Sequence, residues 1–294
     1  MNILHIWDQS GVACVLAKHQ QKMGHSVKIL RRSGYDPYGI YEFYNQFVSY
    51  SLESDFLETC VKEASNADIV HVHSRTDALF YLKKKVNRRN KIVMHFHGSD
   101  LRGIIQKYDQ ELWNIPKTIF RNYRSFRLRK RNNLIAEQMA DRVLYSTPDL
   151  RNYLKRSNPF LLNIPVDTDH FTKTSNSQVN DTFFTFNTEA VSSIKWIVDF
   201  CKSRGIENLQ VIDRTKYPVK YLEMPDLLKR FGTYVDIRYV NNKVLSNLST
   251  TALQSLACGL RVVDYGLKYR YDLPKEHHAS NAAKIVEQIY EEIM

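Results

Sequence analysis

Short apolar runs and stretches of helical spacing alternate along the first half of the chain. "NILHI" (Asn2–Ile6) has the pattern of a buried strand. "GVACVLAKHQQKM" (Gly11–Met23) places Val12, Val15, Leu16, His19 and Met23 at helical spacing, and Gly24 ends it. "SVKIL" (Ser26–Leu30) is a second strand, followed by a helix from about Asp55 to Ala64. "DIVHVH" (Asp68–His73) and "KIVMHFH" (Lys91–His97) are strands on either side of a helix over Asp77–Val86. "DRVLYST" (Asp141–Thr147) and "PFLLNIP" (Pro159–Pro165) follow, with a short helix around Leu150–Leu154 between them. Such alternation predicts βαβ units and a parallel, doubly wound sheet. Ligands of such sheets bind beyond the carboxyl ends of the strands. Asp8–Gly11, His73–Thr76 and His97–Asp100 all follow strands directly, so they are expected along one rim.

The polar stretch "TKTSNSQVNDT" (Thr172–Thr182) interrupts this pattern and reads as a linker. A second alternation then begins. "FFTF", "LQVID", "VDIRYV" and "RVVDYG" read as strands. Ser192–Lys202, "PDLLKRF" and "STTALQSLACG" read as helices, and "SNAAKIVEQIYEEIM" as a final amphipathic helix. The expected organisation is an N-terminal α/β domain over 1–172, a linker over 173–182 and a smaller α/β domain over 183–294.

Composition narrows the class. Hydrophobic residues make up 43% and charged residues 25% of the 294, as in a folded globular protein. No apolar run approaches the roughly 18–20 residues that cross a bilayer, and no secretory leader is read. Cys14, Cys60, Cys201 and Cys258 are scattered, which predicts buried thiols in a cytoplasmic protein rather than a disulfide framework. The net charge of +11 predicts attraction to polyanions. It concentrates in "FRNYRSFRLRKR" (Phe120–Arg131), which holds six basic residues and no acidic one. On a helix, Ile119, Tyr123 and Phe126 share one face while Arg121, Arg124 and Arg131 share another. A solvated basic face over a core stripe, an anionic membrane surface and RNA all fit that pattern.

Three stretches carry candidate chemistry. Gly11 stands where the first strand turns into the first helix, a place where backbone N–H groups approach a phosphate or sugar, or simply where a turn needs glycine. "HVHS" and "HFHGSD" put pairs of histidines two apart, so each pair faces one side of its strand. That spacing suits metal ligands, packed strand-end histidines, or a polar metal-free site in which histidine hydrogen-bonds or moves protons. Ser249 is a natural N-cap for "TTALQSLACG", leaving first-turn N–H groups for a core helix end or a phosphate.

Taken in order, several segments resemble the family-4-like glycosyltransferases of the GT-B fold. "GVACVLAKHQQKMGHSVKIL", "ADIVHVH", "HFHGSDLRG", "ADRVLYSTPDL", "NIPVDTDHF" and "TALQSLACGLRVV" each look like a family segment, and together they span nearly the whole chain. The resemblance implies two Rossmann-like α/β domains facing across a cleft, the second one short. It implies a sugar moved from a nucleotide-sugar donor to a glycan or lipid-linked acceptor, with retention of anomeric configuration. Neither a metal nor a cofactor is implied. His97 and Asp100 would be the catalytic-site residues. Gly11, Lys195, Ser249, Thr250, Thr251 and Gln254 would meet the donor. Arg121, Arg124, Arg127 and Arg131 would face an anionic surface, with the protein cytoplasmic or peripheral on the membrane; nucleic acid is not among the expected partners. The chain departs from the family at Ser246 and Gln254, where two glutamates commonly stand, and "FNTEAVSS" before Lys195 lacks an arginine. Those departures keep open a sugar-nucleotide-binding protein without turnover. An H-x-H metallohydrolase is a further alternative.

Overall fold

A computed structural model describes residues 1–8, 10–86, 90–103, 115–156, 158–173, 181–187, 194–214, 216–240 and 243–294. The chain forms two compact units. The first comprises Met1–Tyr35, Asn45–Asn163 and Ala282–Met294; the second comprises Asp36–Tyr44 and Ile164–Asn281.

The first unit is built on seven strands: β1 (Asn2–Ile6), β2 (Ser26–Arg32), β3 (Val48–Ser51), β4 (Ile69–His73), β5 (Lys91–Phe96), β6 (Arg142–Tyr145) and β7 (Phe160–Leu161). They lie in the order β3-β2-β1-β4-β5-β6-β7, and every pairing is parallel. Strand order therefore reverses between β1 and β4, the place where open α/β sheets hold ligands.

The two faces of this sheet differ in chemistry. Leu4, Ile6, Val70, Val72, Ile92, Met94 and Phe96 point to one face and pack with Phe56, Cys60, Leu79, Leu82 and Ala136 of the covering helices. The alternate residues His5, His71, His73 and His95 point to the other face and are fully buried. Helix Val12–Lys22 and the C-terminal helix Ala279–Ile293 supply the buried side chains Gln20 and Tyr290 on that side.

The second unit has β8 (Phe183–Asn187), β9 (Leu209–Asp213), β10 (Thr233–Asp236), a ribbon of β11 (Tyr239–Val240) and β12 (Lys243–Val244), then β13 (Arg261–Asp264) and β14 (Tyr269–Arg270). Its sheet runs β14-β13-β10-β8-β9, parallel except for the antiparallel edge strand β14. Strand order reverses here between β8 and β10. Thus the fold is α/β with two Rossmann-like sheets, as the sequence pattern predicts.

Several boundaries differ from expectation. The expected strand "VDIRYV" is broken after Asp236, whose carboxylate accepts the Ser249 N–H at 2.9 Å and lies 3.3 Å from the Arg238 guanidinium. The strand Val48–Ser51 has no counterpart in the sequence reading. The division between units also departs from a break near 172. Ile164–Thr172 belongs with the second unit because Val166 bridges to His278, and Phe171 packs edge-on against Tyr221. Asp36–Tyr44 joins that unit too, and Tyr44 donates to Asp167 at 2.6 Å. The final helix joins the first unit instead, through Tyr290. The central part of the expected linker, 174–180, lies outside the described residues.

Candidate active site

His97 follows β5 at the carboxyl edge of the first sheet, and the residue is partly exposed. Its loop is shaped by two residues. Gly98 has φ 157°, and a Cβ there would lie 2.7 Å from Arg102 Nη1. Asp100 accepts hydrogen bonds from the N–H groups of His97 (2.8 Å), Gly98 (2.7 Å) and Leu101 (2.9 Å) and from Ser74 Oγ (2.6 Å). Its carboxylate thus ties the β5 loop to the β4 loop. Arg102 forks onto Asp149 at 2.6 and 3.0 Å, holding the next turn and keeping the Asp149 carboxyl below its ordinary range despite burial.

Backbone strain collects at the same edge. Trp7, Ser10 and Ser74 all adopt positive φ, which non-glycine residues avoid. They flank the point where strand order reverses, the kind of place where strain is kept for function. Trp7 is also surrounded by guanidinium groups, with Arg31 at 4.1 Å and Arg32 and Arg75 at 5.0 Å from its ring centre.

Gly11 is the left-handed N-cap of the first helix, with φ 82°. The anion at that helix end is the protein's own. Buried Asp8 accepts from Gly11 N at 2.9 Å and Ala13 N at 2.6 Å, and burial raises its carboxyl above the usual range.

The histidines behind His97 form a network that the sequence did not disclose. His5 Nε2 lies 2.8 Å from Gln20 Oε1, and His5 Nδ1 lies 2.9 Å from His73 Nε2. His73 Nδ1 is 2.9 Å from His97 Nε2. Ser146 Oγ bridges His97 Nδ1 and His95 Nε2, each at 2.9 Å. His95 Nδ1 is 3.3 Å from His71 Nε2, and His71 Nδ1 is 2.6 Å from the Tyr290 hydroxyl. That hydroxyl accepts from Gln20 Nε2 at 3.4 Å, which closes the loop. Burial drives the pKa of His5 and His97 down to about 4, and lowers those of His71, His73 and His95 well below the ordinary value. All five imidazoles are therefore neutral at pH 7.

The nitrogens of two histidine trios, 5/71/73 and 73/95/97, lie within 4.8 Å of one another. A cation gathered there would have to break hydrogen bonds that already occupy every ring nitrogen.

In the second unit, Ser249 caps helix Thr250–Ala257 by accepting from Ala252 N at 3.0 Å. Thr250 and Thr251 occupy its first turn, where N–H groups lack intrahelical acceptors. The Asp236–Ser249 bond sets this helix end at the carboxyl end of β10, at the strand-order reversal. Gln254 lies one turn further along and is partly exposed. Lys195 is exposed in the first turn of helix Ile194–Ser203, which follows β8. Of the segment without arginine before it, 188–193 lie outside the described residues.

Arg214 directly follows β9 and was not singled out in the sequence. Its guanidinium lies 4.1 Å from the Tyr38 ring centre and 5.0 Å from that of Phe186, and burial lowers its pKa. Its Nε has no hydrogen-bond partner among the described residues. Arg214 thus adds a cation at the carboxyl edge of this sheet. Its place one residue past a strand was the available signal.

Arg121, Arg124, Arg127 and Arg131 lie on helix Ile115–Met139, and all are exposed. Ile119 (51%), Tyr123 (57%) and Phe126 (49%) are exposed as well, so the apolar face of this segment is no core stripe. Core packing on this helix begins at Asn133 and Ala136. Among the described residues, no helix is long and apolar enough to cross a membrane.

No curated protein sequence matches the chain. Among solved structures, an α-glucosyltransferase in complex with UDP and a 13-mer DNA containing a central A:G mismatch superposes with a TM-score of 0.55. It is 13% identical, covering 100% of this chain and 90% of that one. A complex of an α-glucosyltransferase with UDP and a 13-mer DNA containing a HMU base gives 0.54 at 12% identity, covering 90% and 80%. An α-glucosyltransferase with UDP-glucose and DNA containing an abasic site gives 0.51 at 12% identity, covering 99% and 89%. These likenesses establish a shared GT-B glycosyltransferase fold. The sequence pattern of Glycosyltransferase Family 4 matches residues 10–163, more than half of the chain, and the chain belongs to that family.

Proposed function

We infer that the protein transfers a sugar from a nucleotide-sugar donor to an acceptor hydroxyl, with retention at the anomeric carbon. The observation that carries this reading is His97. It is the solvent-reaching end of an otherwise buried polar network, set at the carboxyl edge of a family-4 sheet. The solved glucosyltransferases of this fold are complexes with UDP or UDP-glucose, which supports a uridine donor as the first to test.

As the glycosidic bond to the donor breaks, negative charge grows on the leaving nucleoside diphosphate. Fixed donors and cations stabilise it most when already in place. In this reading the Thr250 and Thr251 N–H groups meet the diphosphate, Lys195 and Arg214 add positive charge, and Gln254 hydrogen-bonds a ribose hydroxyl. Gly11 borders the acceptor and donor near the strained β1 loop. His97 contacts the sugar as a neutral ring, and Asp100 holds the loop that presents it. No metal or cofactor enters this scheme.

The exposed aromatic and arginine faces of helix Ile115–Met139 suit an acceptor at an anionic membrane surface, with the protein docked peripherally in the cytoplasm. The solved relatives carry DNA, so nucleic acid belongs in the acceptor panel as well.

One observation favours a second reading. Ser246 and Gln254 are uncharged where the family commonly has glutamates, which suits a protein that binds sugar nucleotides without transferring. A panel of UDP-, GDP- and ADP-sugars, assayed for transfer and hydrolysis, separates the two. Turnover with one donor, falling about a hundredfold in His97→Ala, is the expected result. Binding without turnover, indifferent to His97→Ala, removes the transferase.

A further inference from the structure

An uncharged imidazole has one N–H and one bare nitrogen. Where two histidines meet nitrogen to nitrogen, one must donate and the other accept. In the first unit this rule applies around a closed path, because all ten ring nitrogens of the five histidines have a partner within it.

Gln20 fixes the direction. Its Oε1 faces His5 and can only accept, so His5 carries its proton on Nε2 and leaves Nδ1 bare. His73 must then donate from Nε2, and His97 from Nε2 in turn. The bare His97 Nδ1 takes the Ser146 hydroxyl proton, so Ser146 accepts from His95 Nε2. His95 Nδ1 is left bare and accepts from His71 Nε2, whose own Nδ1 accepts from Tyr290. Tyr290 finally accepts from the Gln20 amide nitrogen, and the path closes with no two protons or two lone pairs opposed. Turning the Gln20 amide over reverses every bond and puts all five protons on Nδ1. No mixed set of neutral tautomers closes.

We propose that these eight side chains form a two-state, all-or-none hydrogen-bond circuit in which Gln20 and Tyr290 act as positioning residues that set the tautomer of His97. The path runs from Gln20 through two other histidines to the one that reaches solvent. Both His97 nitrogens stay committed to the protein, so the ring meets a ligand as a fixed, neutral surface and takes no proton from it. The circuit stands independently of the proposed function; only the consequence for sugar transfer rests on that reading.

The test is long-range proton–nitrogen correlation of the imidazole ¹⁵N nuclei in the full chain, as wild type, Gln20→Glu and Tyr290→Phe. In wild type all five histidines should show the same tautomer, or the same ratio of the two. A carboxylate at position 20 accepts from both neighbours. In Gln20→Glu, therefore, His71 and His95 should move their protons to Nδ1 while His5, His73 and His97 keep theirs on Nε2, or the circuit should hold one extra proton. Tyr290→Phe removes only a hydroxyl and should release His71 and His95 into mixed tautomers. Histidines that differ from one another in tautomer in wild type, or unchanged histidine spectra in both variants, overturn the circuit. These spectra do not depend on turnover, so they decide the circuit even if no donor is found. With a donor in hand, Gln20→Glu should cost roughly tenfold or more in kcat/KM, because the single Ser146 proton then lies between two bare nitrogens and His97 Nδ1 is no longer firmly held. An altered circuit with unaltered kcat/KM overturns the positioning role and leaves the transferase reading intact.

Discussion

At the scale of single residues, Asp100 shows how one carboxylate can organise a site without facing the ligand. Three N–H groups and a serine hydroxyl converge on it, so its charge is matched by its own loop. Hydrogen bonds to a charged group contribute about 1.5–3 kcal/mol each way when one partner is lost. Asp100→Asn should therefore destabilise the first unit by about 1–2 kcal/mol, read as a lower urea midpoint; an unchanged midpoint would show that the carboxylate does not hold this loop. Much of this chemistry was legible in "HFHGSD". Alternation on a strand puts His95 and His97 on one side, and the structure agrees. Their partners were not legible. Gln20, Ser146 and Tyr290 lie on elements far apart in sequence, and no local pattern states that a helix glutamine will face a strand histidine. Likewise the glycine at position 11 suggested an open anion site, while the nearby Asp8 proved to be the anion.

At the scale of elements, the alternation of strands and helices was read well wherever apolar runs were strong. It failed where the partner decides the structure. Val48–Ser51 is only four residues and becomes a strand because β2 offers an edge. "VDIRYV" has the composition of one strand, yet Asp236 ends it by turning to the Ser249 helix. The basic helix was the most ambiguous element, since periodicity cannot say whether an apolar face is covered. Ile119, Tyr123 and Phe126 are uncovered over a segment rich in exposed arginine. That pairing predicts flotation with anionic vesicles at low salt and little with neutral ones. Each arginine changed to glutamate at 121, 124 or 127 should weaken binding roughly fivefold or more. Equal binding to neutral and anionic vesicles would sink the membrane reading, and release by duplex DNA would redirect it to nucleic acid.

At the scale of the whole molecule, the buried histidines make stability depend on pH. Unfolded, each would titrate at its ordinary value near 6.5; folded, His5 and His97 wait until about 4, and burial holds His71, His73 and His95 well below the ordinary value too. The folded pKa values are depressed, so the unfolded chain binds more protons as pH falls below 6.5. Stability is full above that value and declines down through pH 4, by up to about 1.4 kcal/mol per pH unit for each histidine. Asp100, beside His97, offsets a small part of this. Urea midpoints at pH 7, 6 and 5, followed by tryptophan fluorescence, should fall progressively; a flat profile would contradict burial of neutral imidazoles. The two-unit organisation was foreseeable from two runs of alternation, but the position of the last helix was not, because its apolar stripe does not name the sheet it covers. That position has a consequence for biosynthesis. Tyr290 completes a layer begun at His5, and everything from Ile164 to Asn281 is translated in between. The nascent first unit leaves the ribosome with the histidine side of its sheet covered by helix Val12–Lys22 but without the helix that carries Tyr290. It becomes a finished structure only after the second unit has emerged.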